Sequence, residues 1–477
     1  MARGLNSRAI RLGQQAPVQQ VAEAWPNVVK HIRRLTLTFT LAVAMSLVTG
    51  GWLLSVGLTG IPTAQAAQSS QSIEPVTIRV AMASNPGERE IHEEIARAFE
   101  RTHPNIKVQP LLISNRVTEQ LVRVAAGDPP DVIYLNPSYF GSFMHQGILL
   151  DLAPYVRKDN VPLGDIFPTL IQQLQSNGKL YAIPFELTSI ATLYNQTQFE
   201  QAGLPSPPTQ WNDDSWTWDT FVQYGRRLTR DSNGDGKTDQ WGVGLVLGAI
   251  DQITYPFVFQ NGGQIFDDRT DRFLLNSEPS VQALQWLADL INKEKIALGP
   301  IWGGDAYFAQ EKIAMLPFGR WLKQFGGVKF QWNAVPLPKQ RRAATMLVWL
   351  AFGIAANSRH KDEAWEYLKF LITPEVQAMN TARGEALSVL SQLGEMPIFQ
   401  NAAPRGHYGV FAQGVAYAQP VPYADDDAKV SGAIWSALEP VFTGRRTAKQ
   451  AMDSIATQVE NLLRASHKGM VSPTQKR

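Results

Sequence analysis

Residues 231–242, with the sequence DSNGDGKTDQWG, carry side-chain oxygen ligands at positions 1, 3, 5 and 9, the spacing of a calcium-binding loop. Gly236 occupies position 6, where such a loop turns sharply, but Gly242 occupies position 12, where a bidentate glutamate is usual. Two interpretations stay open: a weak structural Ca²⁺ site, or an acidic surface turn in which glycines relieve backbone strain. In the first interpretation the ligands are Asp231, Asn233, Asp235, the Lys237 carbonyl and Asp239.

Other patterns that could carry catalysis lack an essential partner. His92 opens the stretch HEEIA, which starts like a zinc-protease helix, but Ala96 stands where the second ligand is required. Ser358 fits S-x-x-K without the SDN and KTG partners of that motif, so we expect Ser358 to cap the helix that follows. Without cysteine, the chain has no Cys-ligated zinc, no cysteine nucleophile and no disulfide scaffold.

The length and composition describe a globular protein with more than one core. A chain of 477 residues is too long for a single ordinary core, so two domains or lobes are expected. Six of the 44 basic residues but only one of the 42 acidic residues lie in residues 1–67, which leaves the remainder slightly acidic. We therefore expect no nucleic-acid partner, because binding nucleic acid requires a basic face.

The N-terminal 67 residues have the features of an export segment. Arg33 and Arg34 precede an uncharged apolar run long enough to span a bilayer, and Ala64-Gln65-Ala66 fits a signal-peptidase site before Ala67. The run is longer than a usual signal, so residues 1–67 are predicted to be a signal peptide or a membrane anchor, followed by a linker at 68–75. Either way we expect the protein in the periplasm, free or tethered to the outer face of the cytoplasmic membrane.

Beyond the linker, strands and helices alternate. Residues 76–83, 106–113 and 130–135 have the pattern of buried strands, and residues 87–104 and 115–127 have the apolar period of helices. This order predicts an α/β fold with a sheet covered by helices on both faces.

Four segments resemble family 1 extracellular solute-binding proteins of ABC importers, the maltose-binding-protein-like group. They are residues 129–156, 178–211, 308–321, and the pair 333–338 with 352–377, and they occur in the family's order. The resemblance implies a two-lobed periplasmic-binding-protein fold with a ligand cleft between lobes joined by crossing hinge segments. The first lobe would comprise 76–188 and 344–381, the second 191–341 and 384–467, and a polar tail would follow at 468–477.

The resemblance also implies a function without catalysis. Such a protein binds a carbohydrate in its cleft, closes about a hinge and delivers the ligand to ABC permease subunits, as a monomer that requires no cofactor. Two alternatives stay open: an exported, calcium-stabilised glycan-acting hydrolase, and a binding protein that serves a membrane sensor. The ligand is expected among mono- to oligosaccharides, polyols and glycerol phosphate.

The candidate ligand-binding residues are of three kinds. The resemblance places a polar cleft residue at Glu186 and stacking aromatics at Trp321 and Trp435. Three others follow predicted strands at the edge where α/β sheets bind ligands, and two come from a loop of the second lobe. These five are Asn85, Asn136, Tyr139, Asp251 and Gln252.

Overall fold

The computed structural model describes residues 74–83, 86–113, 118–267, 272–301, 303–384, 386–393, 407–420 and 427–468. All of these except Glu74 belong to one compact unit, Pro75–Arg477. The predicted leader at 1–67, the tail from residue 469 onward and Asn85 lie outside the described residues. Within the described ranges, no helix is long and apolar enough to cross a membrane.

The strands of the described residues are numbered in chain order. They are β1 Val76–Ala83, β2 Ile106–Ile113, β3 Val132–Leu135, β4 Gln175–Ser176, β5 Lys179–Leu180, β6 Ile183–Ser189, β7 Ala191–Asn195, β8 Trp241–Gly244, β9 Ala297–Leu298, β10 Ile313–Phe318, β11 Trp332–Val335, β12 Thr345–Ile354 and β13 Ala418–Gln419.

The α-helices are numbered in the same way. They are α1 Pro86–Thr102, α2 Thr118–Ala125, α3 Pro137–His145, α4 Ala153–Asp159, α5 Pro168–Gln173, α6 Gln196–Gln201, α7 Trp218–Leu228, α8 Tyr255–Gln260, α9 Glu278–Asn292, α10 Gly304–Ala309, α11 Lys361–Leu371, α12 Pro374–Ala382, α13 Tyr408–Gly414, α14 Asp427–Phe442 and α15 Ala448–Lys468.

The first lobe is built on a mixed sheet. Its strand order is β13-β12-β3-β1-β2, and β6 also pairs with β12. β1 pairs in parallel with β2 and β3, whereas β12 is antiparallel to β3 and β6. α1 covers this sheet with Ile91, Ile95 and Phe99, which are almost fully buried, as the helical period predicted.

The second lobe is built on a five-stranded sheet with the order β11-β7-β10-β8-β9. α7, α9 and α10 pack against these strands, and α14 and α15 complete its core. The core of this lobe contains several buried tryptophans, among them Trp216 and Trp218. Trp216 and Trp218 are therefore core residues and not ligand contacts.

The chain passes between the two sheets at neighbouring points. Only Ile190 separates β6 of the first sheet from β7 of the second, and β11 of the second sheet is followed by β12 of the first. After α12, Leu387 forms an isolated antiparallel β-bridge with Leu187 of β6. β13 comes from residues that the sequence analysis assigned to the second lobe, and it pairs with β12 of the first sheet.

The predicted cap of α11 is wrong in detail. His360, not Ser358, occupies the N-cap position of this helix. The Ser358 hydroxyl instead donates to the Asp131 carboxylate at 2.5 Å and accepts from the His360 N–H at 3.0 Å. Ser358 therefore joins the start of α11 to the residue before β3.

Candidate functional site

A cavity of about 200 Å³ lies where residues from both lobes converge. Four of the predicted ligand-binding residues line it: Asn136, Glu186, Gln252 and Trp321. The full lining comprises Glu88, Tyr134, Asn136, Glu186, Leu187, Thr188, Gln252, Trp321, Val348, Trp349, Leu350 and Ala386. A concave site with aromatic walls and a few convergent polar groups is the usual form of a small-molecule site.

Two carboxylates face this cavity from the first lobe. The Glu186 carboxylate, half-buried on β6, accepts a hydrogen bond from the Asn380 side-chain amide at 3.0 Å. The Glu88 carboxylate, on the first turn of α1, accepts from the Tyr134 hydroxyl at 3.0 Å. These contacts hold acceptor oxygens at the cavity wall, where hydroxyl groups of a ligand can donate to them.

Asn136 lies at the carboxyl end of β3, as predicted, and also begins the next helix. Its side-chain oxygen accepts from the Ser138 N–H at 3.0 Å and so caps α3. The cap fixes the orientation of the side chain and leaves its amide nitrogen as the group that can donate to a ligand.

Two tryptophans provide the aromatic surface of the cavity. Trp321 is half-buried and meets Phe318 edge to face, with ring centroids 5.6 Å apart. A Cβ atom at Gly319 would lie 2.4 Å from Trp321 Cζ3, so the folded-back position of this ring requires glycine there. Trp349, on β12, is buried and anchored by its Nε1–H, which donates to the Gln173 side-chain oxygen at 3.0 Å.

Three predicted residues lie elsewhere. Tyr139 does not reach the cavity, because it is on the buried face of α3, where its hydroxyl donates to the Tyr134 carbonyl at 3.1 Å. Trp435 is half-buried on α14 and packs against the second-lobe core instead of lining the cavity. Asp251 is half-buried beside the cavity residue Gln252, and desolvation raises the pKa of its carboxyl.

The sequence analysis missed several lining residues, among them Glu88, Tyr134, Thr188 and Trp349. Tyr134 and Trp349 lie inside strands made almost entirely of apolar residues, and such a composition indicates core and not cavity. Glu88 could have been found from the sequence, because it lies on the first turn of α1, shortly after the carboxyl end of β1, and Asn136 follows β3 in the same way.

The buried side chain of Arg320 lies behind the residues that line the cavity. Arg320 is 1% exposed; its backbone N–H donates to the Thr188 hydroxyl at 2.9 Å and its guanidinium donates to the Ala386 carbonyl. The guanidinium also lies over the Tyr408 ring, 5.1 Å from its centroid. Because Thr188 and Ala386 line the cavity and Trp321 is the next residue, Arg320 ties together three chain segments that build the site.

Next to this cation, His407 is buried and its ring packs at a tilt against Trp332, with ring centroids 4.6 Å apart. Desolvation, with the positive charge of Arg320 adding to it, lowers the pKa of His407 to about 4. The imidazole is therefore neutral at physiological pH.

The predicted calcium loop is exposed and closed by hydrogen bonds to its own backbone. The Asp231 carboxylate accepts from the Gly234 and Gly236 N–H groups at 2.7 and 2.8 Å, and the bond from Gly236 is the main reason that the pKa of Asp231 is lowered. Asn233 and Asp235 accept from the N–H groups two residues further on, both at 2.8 Å. Asp239 accepts from the Ser232 N–H at 2.8 Å and closes the loop.

In this structure the side chains of Asp231, Asn233 and Asp239 accept hydrogen bonds from N–H groups of the loop itself. No group of three or more His, Asp or Glu side chains in the described part of the chain is placed to hold a metal ion. Gly242 cannot be replaced by the missing glutamate, because a Cβ there would lie 2.1 Å from the Gly225 carbonyl oxygen. Close packing of β8 on α7 thus explains the glycine at position 12.

A larger depression of about 520 Å³ lies between α14 and α15. It is lined by Lys429, Gly432, Ala433, Ser436, Ala437, Arg446, Ser454, Ile455, Gln458 and Leu462. The smaller cavity is the better candidate for a ligand site, because the depression involves one lobe only and no aromatic side chain lines it.

Known proteins share this architecture along most of the chain. The ABC substrate-binding protein of Listeria monocytogenes in complex with cycloalternan is 24% identical, with a TM-score of 0.74 over 81% of this chain and 99% of that one. UgpB of Mycobacterium tuberculosis in complex with glycerophosphocholine is 20% identical, with a TM-score of 0.71 over 82% and 99%. The galactooligosaccharide-binding protein of Bacillus subtilis is 22% identical over 79% of this chain and 87% of its own length.

These structural likenesses confirm the predicted two-lobed fold of maltose-binding-like proteins. The family model described as bacterial extracellular solute-binding protein matches residues 84–378, which is more than half of the chain. The matched range includes Asn136, Glu186, Gln252 and Trp321, the four predicted residues that line the cavity. The chain belongs to the family of bacterial extracellular solute-binding proteins.

Proposed function

We propose that the protein is the substrate-binding component of an ABC importer and that it binds a carbohydrate in the cavity between its lobes. The observation that carries this proposal is the lining, which combines Trp321 and Trp349 with the acceptors Glu186 and Glu88. A sugar presents apolar C–H faces, which stack on aromatic rings, and hydroxyl groups, which donate to carboxylates. The lining matches both kinds of group.

The named relatives support the same class of ligand. The Bacillus subtilis protein is named for galactooligosaccharides, and the Listeria monocytogenes protein is in complex with cycloalternan. The glycerophosphocholine in the Mycobacterium tuberculosis complex shows that similar structures also hold a phosphate ester. We therefore propose a mono- to oligosaccharide or a related polyol, and glycerol phosphate belongs in any ligand screen.

The mechanism follows from the position of the cavity. Glu186 and Asn136 contribute from the first lobe, whereas Gln252 and Trp321 contribute from the second. A ligand that contacts both sets stabilises the closed arrangement and shifts the open–closed equilibrium toward it. We propose that a monomer outside the cytoplasmic membrane closes in this way and that the permease recognises the closed form. No covalent step is involved.

Calorimetric titration of the purified protein tests this proposal. The panel comprises glucose, maltose, maltotriose, raffinose, a cyclic α-glucan, sorbitol and glycerol 3-phosphate, and each mixture is analysed by chromatography after prolonged incubation. We expect saturable binding of at least one saccharide with no new product. Binding of glycerol 3-phosphate alone, or of nothing in the panel, would contradict the carbohydrate proposal.

A glycan-acting hydrolase is the second candidate, and one observation favours it: two carboxylates, Glu88 and Glu186, face the same cavity. The same chromatography separates the two functions, because a hydrolase releases shorter saccharides and a binding protein does not. A binding protein that serves a membrane sensor shares the binding step and differs in its membrane partner.

A further inference from the structure

In the described part of the chain, an ion pair joins the first lobe to the second. Lys323 Nζ lies 3.5 Å from Glu90 Oε2. Glu90 belongs to α1, which packs on the first sheet, and Lys323 begins a 3-10 turn between β10 and β11 of the second sheet. The contact therefore links side chains of the two lobes that move relative to each other in a hinge closure.

The pair lies beside the ligand cavity. Glu88 and Trp321 both line the cavity, and each is two residues away from a member of the pair. Residues two apart on a helix point in different directions, so Glu88 faces the cavity while Glu90 stays exposed. The ion pair thus joins the lobes next to a residue from each lobe that meets the ligand.

Neighbouring contacts hold both partners in position. Arg383, which follows α12, pairs with Glu94 and lies 3.7 Å from Glu90 Oε2. On the other side, the Leu322 N–H donates to the Gly384 carbonyl at 3.1 Å and fixes the start of the turn that carries Lys323. Pre-positioning of this kind reduces the conformational entropy that an exposed ion pair loses when it forms.

We propose that Glu90 and Lys323 form a latch that stabilises the closed arrangement of the lobes and thereby sets ligand affinity. The proposal rests on the proposed function, because closure is the step that couples the latch to ligand binding. The latch acts without touching the ligand: it favours the conformation that the ligand also favours. Its effect decreases with ionic strength, since salt screens an exposed pair.

The expected effect on affinity is modest. The two side chains are 42% and 64% exposed, and exposed pairs change equilibrium constants by roughly 1.4- to 5-fold. We expect Lys323→Gln to weaken the binding of the saccharide identified by titration by a factor in this range. Lys323→Glu adds repulsion from Glu90 and weakens binding further, whereas Lys323→Arg retains the native affinity.

A distance measurement on the ligand-free protein tests the latch without any ligand. Because the native chain has no cysteine, spin labels can be attached specifically at Arg101→Cys on α1 and Lys293→Cys after α9. Pulsed electron paramagnetic resonance then measures the distance between the two labels, one on each lobe. Each Lys323 variant is compared with Lys449→Glu, which disrupts an ion pair within the single helix α15.

We expect Lys323→Glu to shift the ligand-free distribution toward longer distances, and 1 M salt to shift the native protein in the same direction. Lys323→Arg and Lys449→Glu should keep the native distribution at low salt. Identical distributions in the native protein and Lys323→Glu would overturn the latch, whether or not a saccharide binds. Failure of every saccharide to bind, with the shift present, would instead contradict the proposed function.

Discussion

The ring of Trp321 has two different neighbours, the second-lobe core on one side and the ligand cavity on the other. We predict that Trp321→Ala weakens saccharide binding by about 2 kcal/mol, roughly thirtyfold, because it removes a stacking surface. The free energy of unfolding of the ligand-free protein should fall by less than the 3–5 kcal/mol typical of a fully buried ring. Calorimetry and urea unfolding of one purified variant measure both quantities.

The matched control is Trp286→Ala, which removes a half-buried ring that stacks on Trp218 outside the cavity. It should reduce stability and leave affinity unchanged. If Trp321→Ala behaved like this control, the ring would belong to the core and would have no role in the ligand site.

His407 gives a second prediction, on pH. Its folded-state pKa of about 4 lies below the unfolded value of about 6.5, so between these values the unfolded chain binds a proton that the folded protein does not. The contribution of His407 to the free energy of unfolding should therefore fall as pH falls, by about 2 kcal/mol between pH 7 and pH 5. Unfolding by urea at these two pH values measures the loss.

His407→Phe retains a ring against Trp332 but cannot bind a proton, so its loss of stability between pH 7 and pH 5 should be smaller by about that amount. Equal losses in the native protein and His407→Phe would show that another group dominates this pH range.

Among the structural elements, regular strands and helices were predictable because their signals are local. The boundaries of β1 and β2 agree with the predicted segments, since an apolar run that ends at a polar turn defines both. The site was only partly predictable. Asn136 follows a recognisable strand, whereas Trp349 is a buried strand residue whose exposure to the cavity depends on how the other lobe is placed.

Arg320 could not be interpreted from sequence for a related reason. Its acceptor, the Ala386 carbonyl, is 66 residues away in the chain, and its aromatic neighbour Tyr408 is farther still. Tyr139 and Trp435 had the residue type and position of ligand contacts, but the packing of α3 and α14 turns them away from the cavity. Helix rotation is set by tertiary packing, which local spacing does not report.

The loop at 231–239 leads to a prediction at the scale of an element. Because its turns are closed by hydrogen bonds from its own N–H groups, we expect removal of divalent ions with EDTA to leave the melting temperature unchanged. Differential scanning calorimetry with EDTA and with millimolar Ca²⁺ measures this. A melting temperature that calcium raises in the native protein but not in Asp235→Ala would contradict the expectation and establish the sequence-predicted calcium site.

At the scale of the whole molecule, the two lobes carry different parts of one site. The first lobe contributes carboxylates through Glu88 on α1 and Glu186 on β6, and the second contributes Trp321 and Gln252 from segments outside its sheet. Neither lobe has the complete set, so the proposed ligand would bind most tightly to the closed arrangement, which the proposed Glu90–Lys323 latch also favours. Under the proposed function, this division would couple ligand binding to recognition by a permease.

The central claim is that a saccharide binds between the lobes and closes them. The most direct test measures the distance between labels at Arg101→Cys and Lys293→Cys, with and without saturating saccharide, alongside calorimetry on the same samples. We predict that saccharide shortens the distance between the two labels. When Glu186→Ala and Trp321→Ala are both introduced, we expect neither binding nor shortening at the same saccharide concentration. Saccharide binding of unchanged affinity in those variants, or binding without any shortening, would contradict the account.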